Sequence, residues 1–443
     1  MKLLPLMVAM GLALAGPVRA EGLLELYEAA RAYDATWQSA KSQYEANLAR
    51  GEQARAGILP QAALSAGVTR SLLETNISGA PVNPAVDRGF TTQQATLSAS
   101  QPLYRPANVA TFRQGERQME LAEYQLVAAG QDLMIRVSQA YFDVLAAQDT
   151  LAFVQAQKAA TAEQLASAKR NFEVGTSTIT DTREAQARYD LVQAQEIAAE
   201  NDLRVKRIAL DTLVGRNDVA PSPLATPLAL PPPEPPVAEA WVAASEQASP
   251  AILQARKAVE IAELETEKAK AGKKPTVDLT GSYGITRNSG GSTTLAQTSR
   301  NNNGNVGVAL QWPLFTGFAA ENRIRETLSL EEKARSDLEA TRRQVAQAVR
   351  TAFFGVLSGQ NQVRALESAE ASSQSALDAN RLGYQVGVRI NIDVLNAQSQ
   401  LFQTKRDLAQ ARYNVLLGHL RLRQANGTLQ PEDLARLNTL LTR

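Results

Sequence analysis

The sequence predicts a mainly α-helical protein joined to a membrane β-barrel, built from one unit used twice: a strand hairpin followed by a long helical hairpin. Three observations carry this. The chain matches itself at a fixed offset, its long Ala/Gln/Leu-rich stretches place apolar residues at steps of three and four, and four short stretches alternate apolar and polar residues.

The first twenty residues, MKLLPLMVAMGLALAGPVRA, combine Lys2, an apolar run from Leu3 to Ala15 and the small-residue end Val18-Arg19-Ala20. They read as a secretory signal, which starts the mature chain near Glu21. That run is too short for a transmembrane helix, which needs about 20 apolar residues, and no later stretch approaches the length. Contact with a membrane is therefore expected through strands or a surface. Export would permit disulfides, yet the chain has 0 Cys, so packing must hold the fold and no thiol chemistry is available. With 46 basic and 45 acidic residues interspersed, no nucleic-acid partner is expected.

Sliding the sequence by 212 positions aligns AYFDVL (140–145) with AFFGVL (352–357), Val174-Gly175 with Val386-Gly387, and Asp181 with Asp393. Nearby offsets pair QPLY (101–104) with WPLF (312–315) and Pro60 with Pro275. The expected layout is a first repeat over 21–216 with a strand hairpin at about 61–102, a Pro-rich connector over 217–237, and a second repeat over 238–443 with its strand hairpin at about 275–313. Proline lacks the amide hydrogen and clashes with a preceding helical turn, so NDVAPSPLATPLALPPPEPPV should run extended over the outside of the molecule.

In the second repeat, Val277, Leu279, Tyr283 and Ile285 alternate with Asp278, Thr280, Ser282 and Thr286, and Val306, Val308, Leu310 and Trp312 share one face of the partner strand. Asn288 to Asn305 between them reads as a long polar loop. The first repeat alternates more weakly, with Leu64, Ala66 and Val68 on one strand and Ala95, Leu97 and Ala99 on the other. Strands of about ten residues suit a bilayer crossing. Tyr104, Trp312 and Phe315 stand at strand ends, either as an interfacial aromatic girdle or as buried residues at the strand-to-helix join. Four strands cannot close a barrel and open edges are not tolerated in lipid, so oligomerisation follows from the strand count; a trimer would supply twelve strands around a channel.

Each strand hairpin leads into a long helix, about Asn108 to Arg170 and Ala320 to Leu382, roughly 90 Å each at the helical rise. Met134, Val137, Tyr141, Val144 and Leu151 form a seam in the first, and Val349, Phe353, Val356 and Val363 repeat it. After Val174-Gly175 and Val386-Gly387 the chain returns as helices from about Asp181 to Leu213 and Asp393 to Gln424. Glycine at 175 and 387 supplies the backbone freedom of a turn, and Asp181 and Asp393 suit the start of a helix.

Chemistry-bearing residues are sparse. His419 is the one His, there is no nucleophile-His constellation, no zinc spacing and no Gly-rich phosphate loop. An enzyme is not expected, nor a cofactor or metal.

Taken together, the leader, the duplicated hairpins, the paired Pro-Leu-aromatic joins and the Val-Gly tips resemble the TolC family of outer-membrane channel-tunnel proteins, from LYEAARAYDATW to NGTLQPEDLARLN. The resemblance implies a homotrimer: a twelve-stranded β-barrel in the outer membrane continued by a twelve-helix α-barrel tunnel, with an equatorial segment near the chain ends. It implies a duct for drug efflux or type I protein secretion, partnered by a periplasmic adaptor and an inner-membrane pump of ABC, RND or MFS type. By motif, Arg389 and Tyr384 on the inner hairpin would be tied to Gln164, Thr180 and Asp181 on the outer one, closing the tunnel entrance. Asp393 and Asn396 would stand at the two positions of a constriction ring, where the family carries acids at both, and Val174, Gly175, Val386 and Gly387 would meet the adaptor. The competing expectation is a periplasmic coiled-coil adaptor or adhesin without a pore.

Overall fold

A computed structural model of the chain describes residues 21–75, 86–225, 230–293 and 295–442. The leader read in residues 1–20 lies outside them. The first half runs α1 (Leu23–Tyr33), α2 (Ala35–Arg55), β1 (Gln61–Thr75), β2 (Val86–Tyr104), α3 (Pro106–Glu173) and α4 (Ile179–Val214). The second repeats the order with α5 (Ala238–Ala248), α6 (Pro250–Ala271), β3 (Thr276–Ser289), β4 (Ser299–Gln311), α7 (Ala319–Gln385) and α8 (Asn391–Asn426), then adds α9 (Pro431–Asn438). Pro106 and Pro250 each occupy the first helical position, where a missing amide hydrogen costs nothing.

One compact unit holds residues 42–126 and 251–341. Its strands form a single antiparallel sheet in the order β1-β2-β3-β4. Register decides which side chains share a face: Leu64 pairs with Leu97 and Leu97 with Tyr283; Ala66 with Ala95 and Ala95 with Ile285; Leu279 with Val308 and Val277 with Leu310. The apolar residues read from the sequence therefore share one face, paired from β1 to β3 at Leu64 and Ala66 and from β3 to β4 at Val277 and Leu279. A register shift between Pro102 and Tyr104 sets Tyr104 opposite Val277 and so brings it into that apolar row. Leu64 is 75% exposed and Val306 83%, so this face has no cover among the described residues. Tyr104, Trp312 and Phe315 are exposed as well, which removes the reading of them as buried residues at the join.

The strands are longer than the sequence suggested, at 15, 19, 14 and 13 residues. Half of the polar loop read over Asn288 to Asn305 is strand: Asn288 pairs with Ser299, Arg287 with Arg300 and Ile285 with Asn302. Asn and Gly disfavour strands on average, but backbone pairing to a strongly alternating neighbour overrides that preference. Below the sheet, α2 and α3 approach closely at Gly51 and Gly115, where a Cβ on Gly115 would stand 2.7 Å from that of Ala54.

The other unit holds residues 21–41, 127–250 and 342–442. Leu23 and Leu26 of α1, Leu133, Val137, Tyr141 and Val144 of α3, Leu210 of α4, Leu416 and Leu420 of α8 and Leu434 of α9 form its main core. The seam residues Val349, Phe353, Val356 and Val363 of α7 are buried too. Asp34, between α1 and α2, accepts from the Trp37 amide at 2.7 Å and from two guanidinium nitrogens of Arg136 at 2.9 and 3.0 Å. The Arg136 hydrogen bonds hold its carboxyl below the usual value despite burial.

The connector runs over the outside only in part: Pro231, Pro232 and residues 234–237 are exposed, but its first stretch is packed into the unit. Val219 belongs to the main core and Ser222 is buried. Residues of the connector bridge to the chain ends, Pro221 to Glu21 and Leu224 to Leu441. The buried Tyr141 hydroxyl donates to the Ser222 carbonyl at 2.8 Å. Proline removes donors but leaves carbonyls, and these find side-chain donors: Gln360 Nε2 reaches the Pro231 carbonyl at 2.7 Å.

Candidate gate at the helical hairpin tips

Both hairpins turn by the same device. At the first tip the amides of Gly175 and Thr176 donate to the carbonyls of Phe172 (3.0 Å) and Asn171 (2.9 Å). At the second, those of Gly387 and Val388 donate to Tyr384 (3.1 Å) and Gly383 (2.8 Å). This nested pair is a Schellman cap, and it needs a left-handed residue where Gly175 and Gly387 both have φ 77°.

Beyond the turns the repeats diverge. Thr178 caps α4: its hydroxyl accepts from the Asp181 amide, and the Asp181 carboxylate accepts from the Thr178 amide at 3.0 Å. Ser177 adds a hydroxyl donor at 2.6 Å, and the Ser177 bond, with those of Thr178, lowers the Asp181 pKa. The matching position in the second repeat is Ile390, which offers α8 no side-chain cap.

The first turn of α8 is held from the outer hairpin instead. Asn391 is fully buried; its Oδ1 accepts from Gln164 Nε2 at 2.5 Å and its Nδ2 donates to the Asp181 carbonyl at 3.2 Å. The Tyr384 hydroxyl accepts from Asn171 Nδ2 at 3.1 Å. These bonds tie the inner hairpin to the outer one, and Asn391 and Asn171, which the motif comparison passed over, make them.

Arg389 folds back over α7: a Cβ on Gly383 would stand 2.7 Å from Arg389 Cγ, so only glycine there leaves room for its stem. Its guanidinium lies 3.8 Å from the Asp393 carboxylate, and both side chains are substantially exposed. Such a pair contributes about 0 to 1 kcal/mol. Among the described residues no hydrogen bond or ion pair links Arg389 to Gln164, Thr180 or Asp181. Thr180 is exposed, with no side-chain hydrogen bond among the described residues. Asn396 Oδ1 accepts from Arg188 of α4 at 2.9 Å. Gln164, Asn171, Tyr384, Arg389 and Asn391 line one groove of about 820 Å³ between the hairpins. The turn residues beyond it are bare: Val174 is 72% exposed and Val388 79%.

Among the described residues no group of three or more His, Asp and Glu side chains is placed to hold a metal, and no helix is long and apolar enough to cross a membrane.

A sequence profile described as "Outer membrane efflux protein" matches residues 26–216 and 241–428, once in each half. Outer membrane protein TolC of Vibrio cholerae is 34% identical over 438 residues, 99% of this chain and 98% of its own. Alkaline protease secretion protein AprF of Pseudomonas aeruginosa is 32% identical over 415 residues, 93% of this chain and 86% of its own. The crystal structure of outer membrane protein VceC of Vibrio cholerae superposes with a TM-score of 0.77 at 21% identity, over 91% of this chain and 96% of its own, and shows a shared fold. The chain belongs to the outer membrane efflux protein family, whose members are transport channels, and its place is the outer membrane of a Gram-negative cell, extending into the periplasm.

Proposed function

We propose that three copies of the chain assemble into one exit duct, closed at the hairpin tips until a periplasmic adaptor and an inner-membrane pump of ABC, RND or MFS type engage it. The carrying observation is the sheet: β1 and β4 have no partner on their outer edges within the described residues, and its apolar face is bare. Edges of this kind must be paired before they enter lipid, because each unsatisfied backbone group there costs several kcal/mol. Three sheets of four strands give a twelve-stranded barrel. Its continuation is a twelve-helix tunnel lined by the long hairpins.

In this reading Arg389, Tyr384, Gln164, Thr180 and Asp181 belong to the gate. Gln164 and Asp181 act through Asn391, and Tyr384 through Asn171. Asp393 forms the first position of the constriction ring, and Asn396, bonded to Arg188, leaves the second without a carboxylate. Val174, Gly175, Val386 and Gly387 offer an exposed apolar tip to the adaptor. The role is a conduit without a catalytic step, and the relatives point to two cargo classes, small drugs and secreted polypeptides.

The test is the mass of the protein extracted from outer membranes, measured by native mass spectrometry and by unheated and heated gels. Three chains per particle, collapsing to one on boiling, is the expected outcome. A monomer, or a species found only in the soluble periplasmic fraction, would return the chain to the adaptor or adhesin class.

A further inference from the structure

We propose that the chain holds an anionic glycerophospholipid of the periplasmic leaflet in a cleft at the foot of its apolar sheet face. The inference rests on the strands being the membrane-spanning part. The cleft, of about 540 Å³, is walled by the β2–α3 join and the end of α6, with Leu103, Tyr104 and Val109 on its apolar side and Arg113, Lys270 and Lys274 on its basic side. That volume is in the range of small-ligand sites.

Position identifies the occupant. Tyr104 lies in the apolar row, opposite Val277, which in turn faces Leu310. The cleft therefore opens where that row ends, at the depth where lipid head groups meet an aromatic girdle. Leu103, Tyr104 and Val109 are all exposed, so acyl methylenes have a surface to cover.

Charge narrows it further. The run EKAKAGKK at the end of α6 carries four lysines, and two are neutralised: Lys268 by Glu265 at 3.3 Å and Lys273 by Glu321 at 2.6 Å. Arg105 is likewise matched by Asp278, with bonds of 2.7 and 2.6 Å. The cations left without an ion pair among the described residues at this place are Lys270, Lys274 and Arg113, and all three line the cleft, against the single carboxylate of Glu267. A phosphodiester with an uncharged head leaves one net negative charge to meet them, whereas a zwitterionic head brings its own ammonium and gains less.

The experiment reconstitutes the full-length protein in phosphatidylethanolamine nanodiscs holding a minor fraction of phosphatidylglycerol, then identifies the lipids that stay bound by native mass spectrometry. Phosphatidylglycerol should be enriched over its bulk fraction. Replacing Arg113, Lys270 and Lys274 by Gln should lower that enrichment roughly fivefold for each cation removed, and Glu267→Gln should raise it by a similar factor. Equal retention of both lipids by the wild type, or unchanged enrichment in the variants, would overturn the proposal. Loss of the lipid to excess inorganic phosphate would also overturn it, by showing a site for free phosphate. If the wild type fails to enter the bilayer, the reading of the strands falls with it; if it enters and shows no enrichment, only the lipid site does.

Discussion

Asn391 is the residue on which the tip turns. It stands where the first repeat has Ile179, so the second repeat buries a polar amide where the first leaves an apolar side chain exposed. Burying an amide is unfavourable unless its donors and acceptors are met, and Asn391 meets them with Gln164 and the Asp181 carbonyl. Truncation to Ala removes both bonds and leaves Gln164 without its acceptor. Asn391→Ala should destabilise the first turn of α8 by about 1 to 3 kcal/mol. Faster hydrogen exchange of the amides following Ile390, with exchange in the first turn of α4 unchanged, is the expected outcome; equal exchange in both proteins would deny Asn391 this role. Aligning Ile179 with Asn391 exposes the substitution, but the sequence does not say which partner across the hairpins receives it. Arg389 shows the opposite case. Its motif is plain, yet the fold-back onto Gly383 depends on a missing Cβ four residues before the turn glycine, which no spacing rule signals.

At the scale of elements, the long helices were legible because a three-four seam and a Val-Gly break are local signals, repeated twice. Strand ends were not. Asn301 to Asn305 carry turn-forming side chains, and only pairing with Ser282 to Thr286 on the neighbouring strand, beyond the reach of local preference, makes them strand. Part of the connector was misplaced for a related reason: proline content forbids helix, but it does not forbid burial once the carbonyls are met, as Gln360 meets that of Pro231. Close by on α8, His419 keeps its Nε2 buried with no hydrogen-bond partner among the described residues. Burial, then the nearby Arg423 charge, pushes the His419 pKa below its ordinary 6.5. A histidine kept neutral in the folded state adds stability above its unfolded pKa and loses it as pH falls through that value toward the lower folded one. The thermal midpoint should therefore drop as pH falls below about 6.5. His419→Gln, which keeps an amide donor and removes the titration, should flatten that slope in a calorimetric pH series; an unaltered slope would assign the acid sensitivity elsewhere.

At the scale of the whole molecule, duplication supplies the architecture and divergence between the copies supplies the function. Both repeats turn on the same Schellman cap, so the fold needs the two hairpins to be alike. Of α4 and α8 only α4 carries a capping box, and only the second repeat carries Arg389, whose counterpart is Ser177. At its tip the inner hairpin is thus fastened by contacts to its neighbour and by the exposed Arg389–Asp393 pair. A docking partner can outweigh contacts of that strength without unfolding either helix. The proposed number of chains in the assembly rests on four strands that cannot close and on a sheet whose apolar face has no cover among the described residues. The central claim is a conduit held shut at its tips. Single-channel conductance in planar bilayers, comparing the wild-type protein with Arg389→Ser, tests it most directly. The account predicts a small conductance for the wild type and a clearly larger one for the variant; equal conductance in the two, or no channel from either, would contradict it.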